Sequence, residues 1–161
     1  MSTNQSPRLR PALPAEANLL TDLALRSKAY WGYSAEFMEA CRAELTLDAA
    51  YVQTNPTVVI ESEAGVVGFY ALEHLSDQAV ELGYLFVDPL AIGQGFGRRL
   101  ITHAKQHARA LGYRRLVIQG DPHAERFYRA AGGQVVGSKE SASVPGRTLP
   151  LFHVELREKL C

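Results

Sequence analysis

Gly93-Gln94-Gly95-Phe96-Gly97 stands between a run that reads as a strand and a run that reads as a helix. The chemistry this allows is anion binding. A glycine-rich turn at a helix N-terminus offers several free backbone N–H groups, and the positive end of the helix dipole points the same way. Arg98 and Arg99, in the first turn, add charge of the matching sign. Phosphate is the usual anion at such a site. The loop lacks Gly-x-x-x-x-Gly-Lys-Ser/Thr, which argues against a nucleoside-triphosphate loop. It spells Gly-x-Gly-x-Gly past the middle of the chain, which argues against a dinucleotide fingerprint. A tight strand-to-helix turn that binds nothing is the alternative.

The flanking elements follow from periodicity. Leu82 to Val87 is mostly apolar and predicts a strand buried on both faces, ended by Asp88-Pro89. Leu100, Ile101, Ala104, Ala108 and Leu111 recur at helical spacing, and Gly112 stands where a C-cap glycine would. Upstream, Leu9 among Arg8, Arg10 and Pro11 predicts a short edge strand. Pro14 can open a helix carrying Leu19, Leu20, Leu23 and Ala24 to about Ala29. Ser34 is a good N-cap for a second helix with Phe37, Met38, Cys41 and Leu45, and 46–56 reads as a connector.

Val58 to Ile60, a turn at Ser62 to Gly65, Val66 to Leu75 and a turn at Ser76 to Gln78 predict an antiparallel meander feeding the central strand. Leu116 to Ile118 follows the helix as a strand, so the strand–helix–strand unit implies a parallel pair. A helix over Ala124 to Ala131 and strands near Gln134–Lys139 and Leu151–Leu156 complete the chain.

Composition bounds the reading. The 161 residues predict one domain, 1–161, with 1–6 polar and loose. Hydrophobic residues make up 47% and charged residues 21%, as in ordinary globular domains. Zero net charge favours neither nucleic acid nor an anionic membrane as partner. No apolar run approaches a membrane span, and the N-terminus has no signal-peptide core. Cys41 and Cys161 suggest neither a disulfide framework nor a metal site, so the expectation is a cytoplasmic protein without metal. His74, His103, His107 and His153 show no pairing in the sequence and read as surface or core residues.

Two blocks carry a resemblance. Ile92-Gly93-Gln94-Gly95-Phe96-Gly97 is similar to Arg/Gln-x-x-Gly-x-Gly/Ala, with Ile92 in place of the first residue. Asp121-Pro122-His123-Ala124-Glu125-Arg126-Phe127-Tyr128-Arg129-Ala130-Ala131-Gly132 resembles Asn-x-x-Ala-x-x-Phe-Tyr-x-x-x-Gly, with Asp121 and His123 in the region of the Asn. Both belong to the GCN5-related N-acetyltransferases, and here they come in order and correctly spaced. The resemblance implies an α/β fold: a single-domain mixed, mostly antiparallel sheet flanked by helices, with a central strand–Gly loop–helix–strand unit. It implies acetyl-CoA as cosubstrate. The pyrophosphate would lie on Gly93, Gln94, Gly95, Phe96, Gly97 and Arg98. The pantetheine arm would run in a gap beside Leu85, Phe86 and Val87, with His123 and Phe127 also on the cofactor.

The resemblance also implies catalytic roles. Acetyl transfer needs a neutral amine, and a lysine-type amine has a pKa near ~10.4. Glu81, fourteen positions before Gly95, stands at the offset of the base glutamate in the histone-acetylating branch. The alternative for it is a structural carboxylate. Tyr128 matches the tyrosine that protonates the departing thiolate; its alternative is a packing tyrosine. A backbone N–H near Phe86 would meet the developing oxyanion. No Cys stands in either block, which favours direct attack in a ternary complex over a covalent intermediate. Trp31 and Tyr33, with Tyr30, could wall an acceptor pocket or plug the core. Arg147 could clamp an anion or be a solvated loop residue. The expected partner is a small-molecule or peptide amine, and a homodimer fits the family's habits. The rivals are a non-catalytic acyl-CoA sensor on the same fold and a phosphate-binding domain without acetyl chemistry.

Overall fold

The computed structural model describes residues 7–156. The N-terminal segment 1–6 and Cys161 lie outside the described residues. The chain runs β1 (Arg8–Pro11), a single 3-10 turn (Pro14–Glu16), α1 (Ala17–Ala29), α2 (Ala35–Leu45), α3 (Ala49–Thr54), β2 (Thr57–Ser62), β3 (Gly65–His74) and β4 (Ala79–Val87). Then come α4 (Phe96–Ala110), β5 (Arg115–Gln119), α5 (Glu125–Ala130), β6 (Gln134–Glu140) and β7 (Thr148–Glu155). One seven-stranded sheet holds them in the order β1-β2-β3-β4-β5-β7-β6. Every neighbouring pair is antiparallel except β4–β5, the pair bridged by α4. The expected α/β architecture is therefore the one observed.

Two apolar layers sandwich the sheet. On one face α4 packs Leu100, Ile101, Ala104 and Ala108 into a cluster with Tyr70, Leu72 and other sheet residues. On the other, Leu20, Leu23 and Ala24 of α1 and Cys41 and Leu45 of α2 cover Val59, Phe69, Ala71 and Tyr84. Ser34 caps α2 by accepting from Phe37 N–H at 3.1 Å. Gly112, at φ +98°, supplies the left-handed residue that ends α4.

Several expectations change. The connector 46–56 contains α3, which Asp48 caps by accepting from Tyr51 N–H at 2.7 Å. Leu19 and Leu111 are exposed, so the apolar stripes of α1 and α4 are narrower than the periodicity implied. The run Leu82–Val87 is not buried on both faces: Gly83 is exposed and Leu85 to Val87 are half-buried, because they border an opening in the sheet. His103 and His107 are not unpaired. Their Nδ1 atoms lie 2.7 and 2.8 Å from the Tyr70 hydroxyl, which they flank from one face of α4. Burial lowers the pKa of both and holds them toward the neutral form.

Gly68 sets how closely α4 approaches the sheet. A Cβ there would come within 2.9 Å of the Phe86 carbonyl oxygen and 3.0 Å of Leu100 Cδ1. Gly68→Ala is therefore expected to lift α4 and cost roughly 1–3 kcal/mol of stability. Urea unfolding would measure the loss, and unchanged stability would show that the layer can yield there.

Candidate active site

The site begins where the sheet opens. β4 and β5 pair only from Ala79–Arg115 to Glu81–Val117 and then part. Beyond that point the β5-facing edge of β4 has lost its strand partner. Asp88 N–H donates to Val67 O at 2.8 Å, which fixes the phase of the β3–β4 ladder. By its alternation, Phe86 N–H turns toward β3, while Leu85 and Val87 direct theirs into the gap. Near Phe86, the N–H groups that face the gap are thus those of Leu85 and Val87. A cleft of about 1070 Å³ fills the gap, bordered by β4, the glycine loop, the start of α4 and α5.

The loop forms one end of this cleft. Gly93 and Gly95 take φ of +87° and +81°, and Gly95 is the N-cap of α4. Arg99 N–H bonds Gly95 O, so the N–H groups of Phe96, Gly97 and Arg98 precede the first helical bond and have no acceptor within the helix. A Cβ at Gly93 or Gly95 would meet nothing within 4 Å, so open space stands over the loop. At Gly97 a Cβ would come 3.2 Å from the Phe127 ring, so that glycine lets α5 approach α4. Gly93, Gly95, Phe96, Gly97, Arg98 and Phe127 all border the cleft, but Gln94 does not. Arg99 turns away and donates to Pro7 O at 3.2 Å. Lys105, further along α4, also borders the cleft.

Glu81 and Tyr128 border the same cleft. Glu81 accepts from Gln119 Nε2 at 2.8 Å. Burial raises its pKa above the ordinary carboxylate value; the Gln119 bond opposes this and the negative charge of Glu73 adds to it. The shift makes Glu81 a better proton acceptor once ionised. Tyr128 is only 8% exposed, and burial raises its pKa, which keeps the phenol protonated. Among the described residues its hydroxyl has no hydrogen-bond partner. Among these residues no unpartnered side-chain polar atom is sealed from the exterior, so that hydroxyl opens on the cleft.

A polar network that the sequence did not announce ties the α1–α2 loop to the β5–α5 turn. Asp121 caps the turn before α5 through His123 N–H at 2.9 Å. It also accepts from Lys28 Nζ at 2.9 Å, from the Tyr33 hydroxyl at 2.8 Å and from Arg147 at 3.3 Å. Burial would raise the Asp121 pKa, but the His123 N–H, Lys28 and Tyr33 hold it well below the usual carboxylate range. Burial and Asp121 push Tyr33 up to about 12, so Tyr33 donates. His123 Nδ1 lies 2.8 Å from Asp121 Oδ1, and its ring stacks on Trp31 at 4.9 Å between centroids.

Trp31 and His123 border the cleft, but Tyr33 and Arg147 do not. Arg147 is not a solvated loop residue: it holds the Asp121 carboxylate and donates to the Tyr33 hydroxyl at 2.9 Å within the network. The network was hidden because its members are distant in the chain. Only the N-cap pattern of Asp121 before Pro122 was visible locally.

The comparisons accord with this geometry. Residues 22–132 match the model of the acetyltransferase (GNAT) family, so the chain belongs to that family and is an acyltransferase by class. No curated protein matches it. A GCN5-related N-acetyltransferase from Rhodopseudomonas palustris superposes with a TM-score of 0.76 at 22% identity, covering 96% of this chain and 99% of that one. PaiA N-acetyltransferase from Thermoplasma acidophilum, solved with coenzyme A, gives 0.73 at 16% identity, with coverages of 94% and 99%. The Salmonella typhimurium acetyltransferase YncA, solved with acetyl-CoA, gives 0.69 at 20% identity, with 98% of each chain covered. At these identities the superpositions speak for the fold. Among the described residues no helix is long and apolar enough to cross a membrane, and no cluster could hold a metal ion.

Asp121 predicts an acid-sensitive fold. Its folded pKa is depressed, so its stabilisation is present above the unfolded value of ~3.9 and is lost as pH falls from there through the folded pKa. Asp121→Asn should cost roughly 3 kcal/mol near neutral pH, because Lys28 and Arg147, 15% and 18% exposed, lose their anion. The gap between variant and wild type should close toward pH 2. Denaturant unfolding across this range measures it, and a pH-independent gap would contradict the assignment.

Proposed function

We propose that the protein transfers an acetyl group from acetyl-CoA to a primary amine by direct attack within a ternary complex. The observation that carries this is the shared cleft. A raised-pKa carboxylate, an unpartnered phenol, free strand N–H groups and a glycine cradle at a helix N-terminus all open on one gap. The residues present fit the cosubstrate. Gly93 and Gly95 leave room for phosphate oxygens where a side chain would stand, and Arg98 adds positive charge. Leu85 and Val87 offer N–H groups to an extended amide-bearing arm lying against β4.

Acetyl-CoA supplies an activated thioester. Glu81 accepts the proton that the amine nitrogen sheds as the N–C bond forms, directly or through a water. The N–H of Leu85 or Val87 stabilises negative charge on the carbonyl oxygen. Tyr128 donates its proton, or a hydrogen bond, to the sulfur as the C–S bond breaks. Gln119 holds the Glu81 carboxylate in place. The sulfhydryl of Cys41 is buried in the α1–α2 layer, away from the cleft, which supports attack without a cysteinyl intermediate.

Two measurements test this. Glu81→Gln should lower kcat/KM roughly 10²-fold near neutral pH and recover as pH approaches the amine's own value of ~10.4. It should not lower stability, because it relieves a charge that burial disfavours. Tyr128→Phe should lower kcat by a similar factor at every pH. A wild-type pH profile in Glu81→Gln would make it a structural carboxylate, and coenzyme A binding without turnover on any amine would favour the sensor reading. Separately, Gly95→Ala places a methyl in the cradle at a strained φ. It should cost about 1 kcal/mol of stability and weaken coenzyme A binding by calorimetry. Undiminished affinity would move the pyrophosphate elsewhere.

A further inference from the structure

We propose that the amine is an aliphatic diamine or polyamine, its reacting nitrogen at Glu81 and its second ammonium held by Glu73 and Glu44. This rests on the acetyl-transfer reading above. Glu73 stands directly opposite Glu81 in the β3–β4 register, so the two carboxylates leave the same face side by side. Glu44, at the end of α2, also borders the cleft, and Glu44 and Glu73 both act electrostatically on Tyr84. Like charges directly opposite one another destabilise a sheet. Here no ion pair among the described residues cancels them. Among the described residues, every other half-buried carboxylate carries an ion-pair partner: Glu16, Glu61, Asp88, Asp121 and Glu125. Glu73 and Glu81 carry none, and Lys139 acts on Glu81 only at longer range.

Neutral donors fix these carboxylates without neutralising them. The Tyr51 hydroxyl donates to Glu73 at 2.5 Å, Gln119 to Glu81 at 2.8 Å and the Ser143 hydroxyl to Glu44 at 2.9 Å. The backbone also makes room. A Cβ at position 83 would fall 2.1 Å from Glu73 Oε2, so Gly83 admits that carboxylate against the strand at the cleft. The Tyr128 hydroxyl, assigned above to the thioester sulfur and unpartnered among the described residues, opens on the same cleft and sets where the acetyl group would meet the amine. At the glycine loop, Arg98 in the first turn of α4 gives the cleft the opposite sign. An acceptor bearing its own carboxylate would be repelled by three anions, and a monoamine would neutralise one. A dication satisfies the reacting position and the pair beside it.

The test compares three acceptors of matched length: n-butylamine, 1,4-diaminobutane and 4-aminobutanoate. Release of free coenzyme A gives kcat/KM. The diamine should exceed the monoamine by about tenfold or more, the worth of one charge-assisted contact, and the amino acid should be poorest. Glu73→Gln, which still accepts from Tyr51, and Glu44→Gln, on the exposed side of α2, should each collapse the diamine-to-monoamine ratio mainly through KM. Calorimetric coenzyme A affinity confirms that both variants are folded. Equal rates for the three amines, preference for the amino acid or for a lysine peptide, or a ratio that survives both substitutions would overturn the proposal. If no amine turns over while coenzyme A binds, the acetyl-transfer reading fails. Binding of 1,4-diaminobutane to the coenzyme-loaded protein then decides the acceptor site by itself: loss in Glu73→Gln upholds it, and absence of binding in the wild type overturns it.

Discussion

The architecture of the cleft depends on one extra residue in β4. Tyr84 opposes Ala71 and Leu82 opposes Leu72, so Gly83 has no partner on β3. A bulge of this kind shifts the side-chain alternation by one and bends the strand. Val80 and Leu82 join the α4 layer below it, and above it Leu85 and Val87 do so. Tyr84 and Phe86 are carried to the opposite layer. Glu81, alternating with Val80 and Leu82, shares that opposite face. Without the bulge, Tyr84 would point at α4, and the gap-facing N–H groups of Leu85 and Val87 would change places with that of Phe86. Parting from β5 begins at the same point, after Glu81. One unpaired glycine thus coincides with the opening, the exposed donors and the space for Glu73.

The Asp121 network plays a different part. It concentrates two cations, a phenol and an imidazole on one carboxylate, joining α1, the α1–α2 loop, the turn before α5 and the β6–β7 loop. A neutral amide at this position could accept a hydrogen bond but could not balance Lys28 and Arg147. The Asp therefore fits the company it keeps, and with it Trp31 is held against the His123 ring at the cleft mouth. The α1–α2 loop has no strand pairing to position it, so this cluster fixes its approach.

Local signals carried most of the fold. The glycine loop, the α4 stripe, the Ser34 cap and the meander turns are each written within a few residues, and each held, the α4 stripe without Leu111. The Glu81–Glu73 pairing was also within reach. A hairpin turning at Ser76–Gln78 places residues 73 and 81 opposite one another, but that register was not followed outward from the turn. The α3 helix escaped because six residues give too little periodicity, although Asp48 three places before Tyr51 was a cap signal. The bulge at Gly83 could not be read, since a glycine in a strand marks either a bulge or a close approach. For Tyr33 and Arg147 the sequence left alternatives open, an acceptor wall or a core plug for the one and an anion clamp or a solvated residue for the other, and only tertiary contact shows that they bond each other.

Zero net charge conceals a polarity along the cleft. Arg98 borders the cleft at the glycine loop, while Glu81 lies where β4 and β5 part, with Glu73 opposite it on β3. Averaged over the surface the two cancel, so composition offers no hint of them. Within a cleft walled by apolar side chains they do not cancel, because water screens them less there. A phosphate-bearing ligand would be drawn to the loop and a cation to the carboxylates, so the proposed pair of ligands would be sorted by charge before they meet. The unpaired Glu73 and Glu81 make the acidic end costly in the empty protein, since burial and mutual repulsion both raise the Glu81 pKa. An arriving cation reverses the sign of that effect. It lowers the Glu81 pKa toward the ordinary value and favours the ionised form that can take a proton. An approaching cation would thus raise the ionised fraction of Glu81 while weakening it as a base, so the two effects oppose one another and the acceptor's charge sets the balance between them.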